Sequence, residues 1–186
     1  MSRNDDVARA LRDAASQLLT IHGPTGLSVR AVATAAGQTT MAVYSRFGGK
    51  AGLLDALYQE GFGVLADAQA AVPESEDPLR DLEKLLMRYR HTALVHAAHY
   101  ALMFGGKGFT PSDASRQVAW STFEHLAGRV KRCQDAAQLA PGDPLKIAHA
   151  IFALCHGLVA VEMEGMAEGA DAYREAVRAL LRGFAP

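Results

Sequence analysis

Apolar residues recur along the chain at the spacing of one helix face almost throughout. Val7, Leu11, Ala14 or Ala15 and Leu18 form the first such run, which "HGPTG" at 22–26 breaks. Ser28 is placed to cap a second helix ending near Ala35, and Thr39 a third ending near Phe47, before Gly48 and Gly49 interrupt again. A fourth helix starts at Lys50 and carries Leu53, Leu54, Leu57 and Tyr58. Further on, "EDPL", "FTPS" and "GDPL" each set Asp77, Thr110 or Asp143 at a cap position with proline in the first helical turn. They open helices predicted over 78–97, 111–138 and 144–166. A short helix is expected over 100–104. A last one, over 171–184, aligns Tyr173, Ala176, Val177, Leu180, Leu181 and Phe184 on one stripe.

No segment alternates apolar and polar residues well enough to be a strand. The prediction is an all-α chain of about nine helices. "AAVPESEDP" at 70–78 is the expected joint between an N-terminal domain over 1–60, its fourth helix continuing to about 70, and a C-terminal domain over 71–186. The longest apolar stretch, 147–161, falls short of the ~20 helical residues that cross a bilayer and is interrupted by His149 and His156. It reads as a buried helix, with no membrane partner.

Composition narrows the class. A content of 49% hydrophobic and 21% charged residues excludes disordered and collagen-like chains. Cys133 and Cys155 stand apart and form no CxxC pair, so neither a disulfide framework nor a zinc knuckle is suggested. The start "MSRNDDVARALRDAA" has aspartates where an export signal needs an apolar run, so a cytoplasmic location is expected. The net charge of −1 does not favour a nucleic-acid binder, yet it is unevenly spread. Residues 1–50 hold six basic and three acidic side chains, the rest thirteen and seventeen.

The short helices around "AAGQ" then acquire a mechanical reading. Two helices so joined cross steeply, which requires the small side chains of Ala33 and Ala36 and the tolerance of positive φ that Gly37 offers. Val32, Val43 and Phe47 would clamp the pair onto the first helix. Gln38, Thr39, Thr40, Met41, Tyr44 and Ser45 would then remain outward, a hydrogen-bonding and methyl-bearing surface suited to base edges in a major groove. Lys50 and the amides of the fourth helix would meet a phosphate, and the Tyr44 hydroxyl another.

"GLSVRAVATAAGQTTMAVYSRFGGKAGLLDAL", residues 26–57, resembles the DNA-binding domain of the TetR family of bacterial transcriptional regulators. The family's cap, Ala-Gly corner, tyrosine, aromatic and lysine are matched by Ser28, Ala36, Gly37, Tyr44, Phe47 and Lys50. "FALCHGLVAVEMEG" at 152–165 resembles a segment in the regulatory domain of one branch of that family. Gln38 departs from the pattern where an apolar residue is usual, and Gly49 where Ser, Asn or Asp often caps the fourth helix. The resemblance implies phosphate contacts from Tyr44 and Lys50, with Arg30, Gln38, Thr39, Thr40 and Met41 close to bases or backbone. It further implies a palindromic double-stranded operator, a homodimer through the last two long helices, and a C-terminal cavity whose small, largely apolar effector weakens DNA binding. Such proteins are mostly repressors, and activators occur.

The C-terminal part supplies candidate walls for that cavity in Met87, Tyr100, Met103, Phe104, Trp120 and Phe123, with His91, Tyr100 and His156 as polar groups. The last two helices present more apolar surface than one chain hides, so a four-helix bundle across a two-fold axis is expected, through Phe152, Val159, Tyr173, Val177, Leu180 and Leu181. His91, His96 and His99 do not make a metal set, because His91 is rotated about 140° from His96 on a helix and no carboxylate or cysteine completes them. Cys155 and His156, as helix neighbours, point about 100° apart and cannot share a proton. "FGGKGFTPSD" fails as a phosphate loop, with Gly108 instead of Ser or Thr after Lys107 and no preceding strand. No catalytic constellation, metal or cofactor is therefore expected. The alternative to a ligand-responsive regulator is a small all-α enzyme or carrier that uses the C-terminal cavity.

Overall fold

The computed structural model describes residues 3–105, 109–166 and 169–186. Lys107 and Gly108, on which the rejection of a phosphate loop rests, lie outside the described residues. Nine helices and no strand are found among the described residues: α1 Arg3–Gly26, α2 Val29–Ala35, α3 Thr40–Phe47, α4 Lys50–Ala70, α5 Pro78–Val95, α6 Ala97–Phe104, α7 Asp113–Asp135, α8 Pro144–Met163 and α9 Gly169–Gly183. Gly23, at φ +66° and ψ −179°, interrupts α1 as "HGPTG" predicts, and Pro24 follows the break.

Caps fix the helix starts. Ser28 accepts from the Ala31 amide at 3.1 Å, Thr39 from Ala42 at 3.2 Å, Asp77 from Arg80 at 3.1 Å and Asp143 from Leu145 at 2.9 Å. At "FTPS" the expectation fails. α7 starts at Asp113, and its cap is Ser112, whose hydroxyl accepts from the Ser115 amide at 3.2 Å, not Thr110. The α5/α6 boundary also differs. α5 ends at Val95, His96 is non-helical at φ −109° and ψ 42°, and α6 begins at Ala97 instead of residue 100.

The chain forms two compact units, residues 1–63 with 96–118 and residues 64–95 with 119–186. In the first, α1 packs against α2, α3 and α6. Leu11, Ala15, Leu19, Leu27, Val32, Val43, Leu53 and Leu57 are its buried core. In the second, α5, α8 and α9 pack on one another around Leu82, Leu85, Ile151, Val159 and Val177. Arg90 of α5 forms a two-point ion pair with Glu162 of α8 and lies over the ring of Tyr173 of α9, whose hydroxyl donates to the Leu86 carbonyl at 3.1 Å. Cys133 and Cys155 are free and buried, and burial pushes each thiol up to about 11.

α8 departs from the sequence reading. It runs 20 residues, long and apolar enough by length and composition to cross a membrane, and most of its residues are exposed or half-buried in the single chain. One face meets α5 and α9. The other is exposed at Leu145, His149, Ala153, Gly157 and Val161, which follow one another at four-residue spacing.

The stretch 70–78 is fastened inside the second unit. Arg129 donates to the Val72 carbonyl at 2.7 Å, and Gln138 accepts from the Leu79 amide at 2.9 Å. Fully buried Asp81 accepts from the Ser75 amide at 2.6 Å and from its hydroxyl at 2.9 Å. Burial alone would raise the Asp81 carboxyl, but the Ser75 hydrogen bonds and the Lys84 ammonium hold it below the usual carboxylate range. A carboxylate lowered on folding stabilises the protein above its unfolded pKa of about 3.9 and loses that contribution as pH falls through its folded value. Asp81→Asn should therefore lower the melting temperature at pH 7. In melts from pH 7 to pH 3, the gap to the parent protein is expected to narrow below about pH 4.

Candidate nucleic-acid interface

α2 closes with the Gln38 amide donating to Ala33 O at 2.8 Å and the Gly37 amide to Thr34 O at 3.1 Å, Gly37 standing at φ +62°. That pair of bonds is a Schellman turn, which aims α3 steeply away from α2. Its last position, where an apolar contact is usual, holds Gln38, half-buried here.

α3 then turns one side inward. Val43 is fully buried and Phe47 half-buried. Thr39, Thr40, Met41, Tyr44 and Ser45 are exposed, Met41 at 72% and Tyr44 at 56%. Arg30 on α2 and Lys50 at the start of α4 are exposed as well. Of the seven residues the sequence singles out for DNA, six are thus on the surface and Gln38 is partly so.

The turn from α3 to α4 explains the departure at Gly49. Gly48 is left-handed at φ +71° and its amide donates to Tyr44 O at 2.9 Å. Gly49, at φ +113°, lies beneath the Tyr44 ring, and a Cβ there would stand 3.2 Å from Tyr44 Cε1. A capping side chain at 49 is thus given up for a conformation and a close approach that glycine permits.

Two polar clusters tie α4 to the segment 96–118 within the same unit. Glu60 of α4 accepts from the Ser16 hydroxyl of α1 at 3.1 Å and lies 3.4 Å from Nε2 of buried His99 of α6. Burial would raise the Glu60 carboxyl, but His99, Ser16 and the Arg12 charge hold it low. On the same helix, Asp55 accepts from the Ser112 amide at 2.9 Å and hydroxyl at 2.8 Å, and Gln59 donates to buried Ser115 at 2.8 Å. The sequence reading missed Ser16, Glu60, Asp55 and Gln59, whose only signal is polarity at helix positions beside apolar ones.

The candidate effector-binding residues fall into separate groups. Tyr100 and Phe104 lie 4.7 Å apart with their rings tilted in the first unit, Phe104 meets Phe62 at 5.7 Å, and Met103 lies against Gly61. In the second unit Phe123 lies 4.3 Å from His149 and 6.3 Å from Phe152, which stacks on His156 at 5.6 Å. Burial lowers the His156 pKa. Trp120 is exposed and bonds Glu124, His91 is exposed, and Met87 is half-buried. No group of three metal-ligating side chains occurs among the described residues.

The expected dimer residues need correction. Val159, Tyr173, Val177 and Leu181 are buried within the chain's own core, so they do not lie on a free face. Phe152 and Leu180 are only half-buried.

Residues 11–57 match the family model described as "Bacterial regulatory proteins, tetR family", and residues 82–184 the one described as "Tetracyclin repressor-like, C-terminal domain". No curated protein matches the sequence. Among solved structures, a protein of unknown function from Rhodococcus sp. RHA1 is 30% identical with a TM-score of 0.85, over 97% of this chain and 96% of that one. PfmR of Thermus thermophilus, a TetR family transcriptional regulator, gives 20% and 0.73 over 96% and 100%. The fatty acid degradation regulator FadR of Bacillus halodurans gives 20% and 0.76 over 95% of each chain. At 20% identity the last two speak for the fold alone.

The two glycines of α4 and its approach make a paired test. Gly49→Ala should cost about 1–2 kcal/mol, because a side chain is forced into positive φ. Gly63→Ala, inside α4 with open space where its Cβ would go, should gain about 0.5–1 kcal/mol. Denaturant melts of both variants measure the two signs.

Proposed function

Because the chain belongs to the TetR family of bacterial transcriptional regulators, which bind operator DNA and form dimers, we propose that it is a repressor released from a palindromic operator by a small molecule. The observation that carries this reading is the exposed face of α3, held by a buried opposite face and flanked by Tyr44 and Lys50. Thr40 and Met41 meet base edges, while the Tyr44 hydroxyl and the Lys50 ammonium hold phosphates on either side. Arg30, Gln38 and Thr39 lie along the same surface. The protein acts in the cytoplasm, where its DNA is. The aromatic and sulfur groups around Tyr100, Met103 and Phe104 support a small, largely apolar effector. A gel shift with the DNA upstream of its own gene tests the reading. Sequence-specific binding that a low-molecular-mass cell fraction reverses is the expected outcome, and turnover of a substrate without DNA binding overturns it.

The dimer forms through the outward lines of the last two helices: Leu145, Ala153, Gly157 and Val161 of α8, with Ala172, Ala176 and Leu180 of α9. These positions are apolar, small over most of their length, and exposed or half-buried in the single chain. Their pairing across a two-fold axis sets two copies of α3 against two half-sites.

Anchoring and assembly make separate predictions. Lys50→Ala and Tyr44→Phe should weaken binding to all DNA sequences alike. The lysine change should also flatten the plot of log affinity against log salt by about one unit per subunit. For the dimer, Leu180→Glu should yield a folded monomer, whereas Leu181→Glu, in the core, should lower the melting temperature steeply. Light scattering and thermal melts of the pair distinguish a surface position from a core one.

A further inference from the structure

An exposed methionine on a protein surface ordinarily calls for no explanation. Met41 differs through its surroundings. It stands in the first turn of α3, the part of a recognition helix that reaches base edges. Two hydroxyls near it are partly engaged by the helix itself: the Thr39 hydroxyl accepts from the Ala42 amide at 3.2 Å and keeps only its proton to offer, and the Ser45 hydroxyl donates its proton to the Ala42 carbonyl at 3.1 Å. The Gln38 amide, which could read adenine, belongs to a half-buried residue at the corner. Basic side chains are on α2, at Arg30, and in the last turn of α3, at Arg46. What the first turn offers outward is therefore the Thr40 side chain and, 72% exposed, the unbranched thioether of Met41.

In the major groove one base presents an apolar group, the C5-methyl of thymine. From the partial engagement of the neighbouring hydroxyls and the exposure of Met41, we propose that this protein selects its operator by apolar contact between Met41 and a thymine methyl group in each half-site. The inference rests on the DNA-binding reading above and adds the chemistry of the base contact. The flexible, polarisable thioether suits it, since it fits against a methyl without the fixed geometry that an amide or guanidinium pair demands.

The test uses the full-length protein. A binding site is first selected from random duplex DNA, and each of its thymines is then replaced singly by deoxyuridine, which removes the methyl and keeps every hydrogen-bonding group. One methyl group out of water corresponds to about a fourfold change in affinity. At one or two thymines per half-site, deoxyuridine is expected to weaken the parent protein about fourfold. Met41→Ala should bind the two DNAs equally, whereas Tyr44→Phe should stay as sensitive as the parent. Replacing that T·A pair by 5-methylcytosine·G should bind better than plain C·G, because the methyl returns to the same place. Insensitivity at every thymine, or Met41→Ala as sensitive as the parent, overturns the inference while leaving specific DNA binding intact. Failure of the selection to enrich any sequence overturns the DNA-binding reading itself, and the inference with it.

Discussion

Helices of seven and eight residues do not hold their shape alone in water, because the first hydrogen-bonded turn costs more backbone entropy than so short a run recovers. α2 and α3 have those lengths. The recognition surface therefore exists only as long as α1 supplies an apolar bed for it, with Leu11, Ala15 and Leu19 fully buried on one side of the contact and Val32 and Val43 on the other. Everything outward on α3 inherits its position from that contact. The Schellman turn at Gly37 sets the angle, and the double glycine at 48–49 sets where the chain leaves. Side chains on α3 can vary in chemistry without disturbing this frame, which separates what is read from how it is held.

Much of this was legible in the sequence because it is local. Ser28, Thr39, Asp77 and Asp143 each cap a helix within three residues of themselves, so residue type and spacing suffice. The Ala-Gly corner and the alternation of Val43 with exposed neighbours are equally short-range. Ser112 was not legible as a cap, because its hydroxyl also bonds Asp55, 57 positions away, and no local pattern announces such a partner. The same holds for His99, whose neighbours Ser16 and Glu60 come from two other helices. In α9 an apolar stripe was evident from spacing, but spacing says which face is apolar and not what covers it. Tyr173, Val177 and Leu181 turn out to be covered by the chain itself. α8 carries apolar residues on every side, so periodicity could not tell its inner face from its outer one.

Polar groups divide the labour with the core. In the second unit the Arg90–Glu162 pair and the Tyr173 hydroxyl fix how the apolar faces of three helices register on one another, a task that non-directional burial does poorly. In the first unit α4 has one end at Lys50 and, further along, side chains at 55, 59 and 60 that hold Ser112, Ser115 and His99. The described residues His99, Ser112 and Ser115 are thereby fastened to the helix that carries Lys50.

The chain passes from one unit to the other three times: within α4 after residue 63, between residues 95 and 96, and within α7 after residue 118. The DNA-facing unit is consequently not a detachable head. A fragment ending at residue 63 would lack α6, removing the helix that packs on α1 and leaving Glu60 without His99. Grafting this unit onto another regulator by a single crossover would cut it in two. A working chimera needs three junctions, so that residues 96–118 travel with the helices they hold, and recombination at one point alone would rarely exchange the reading surface of such a protein for another.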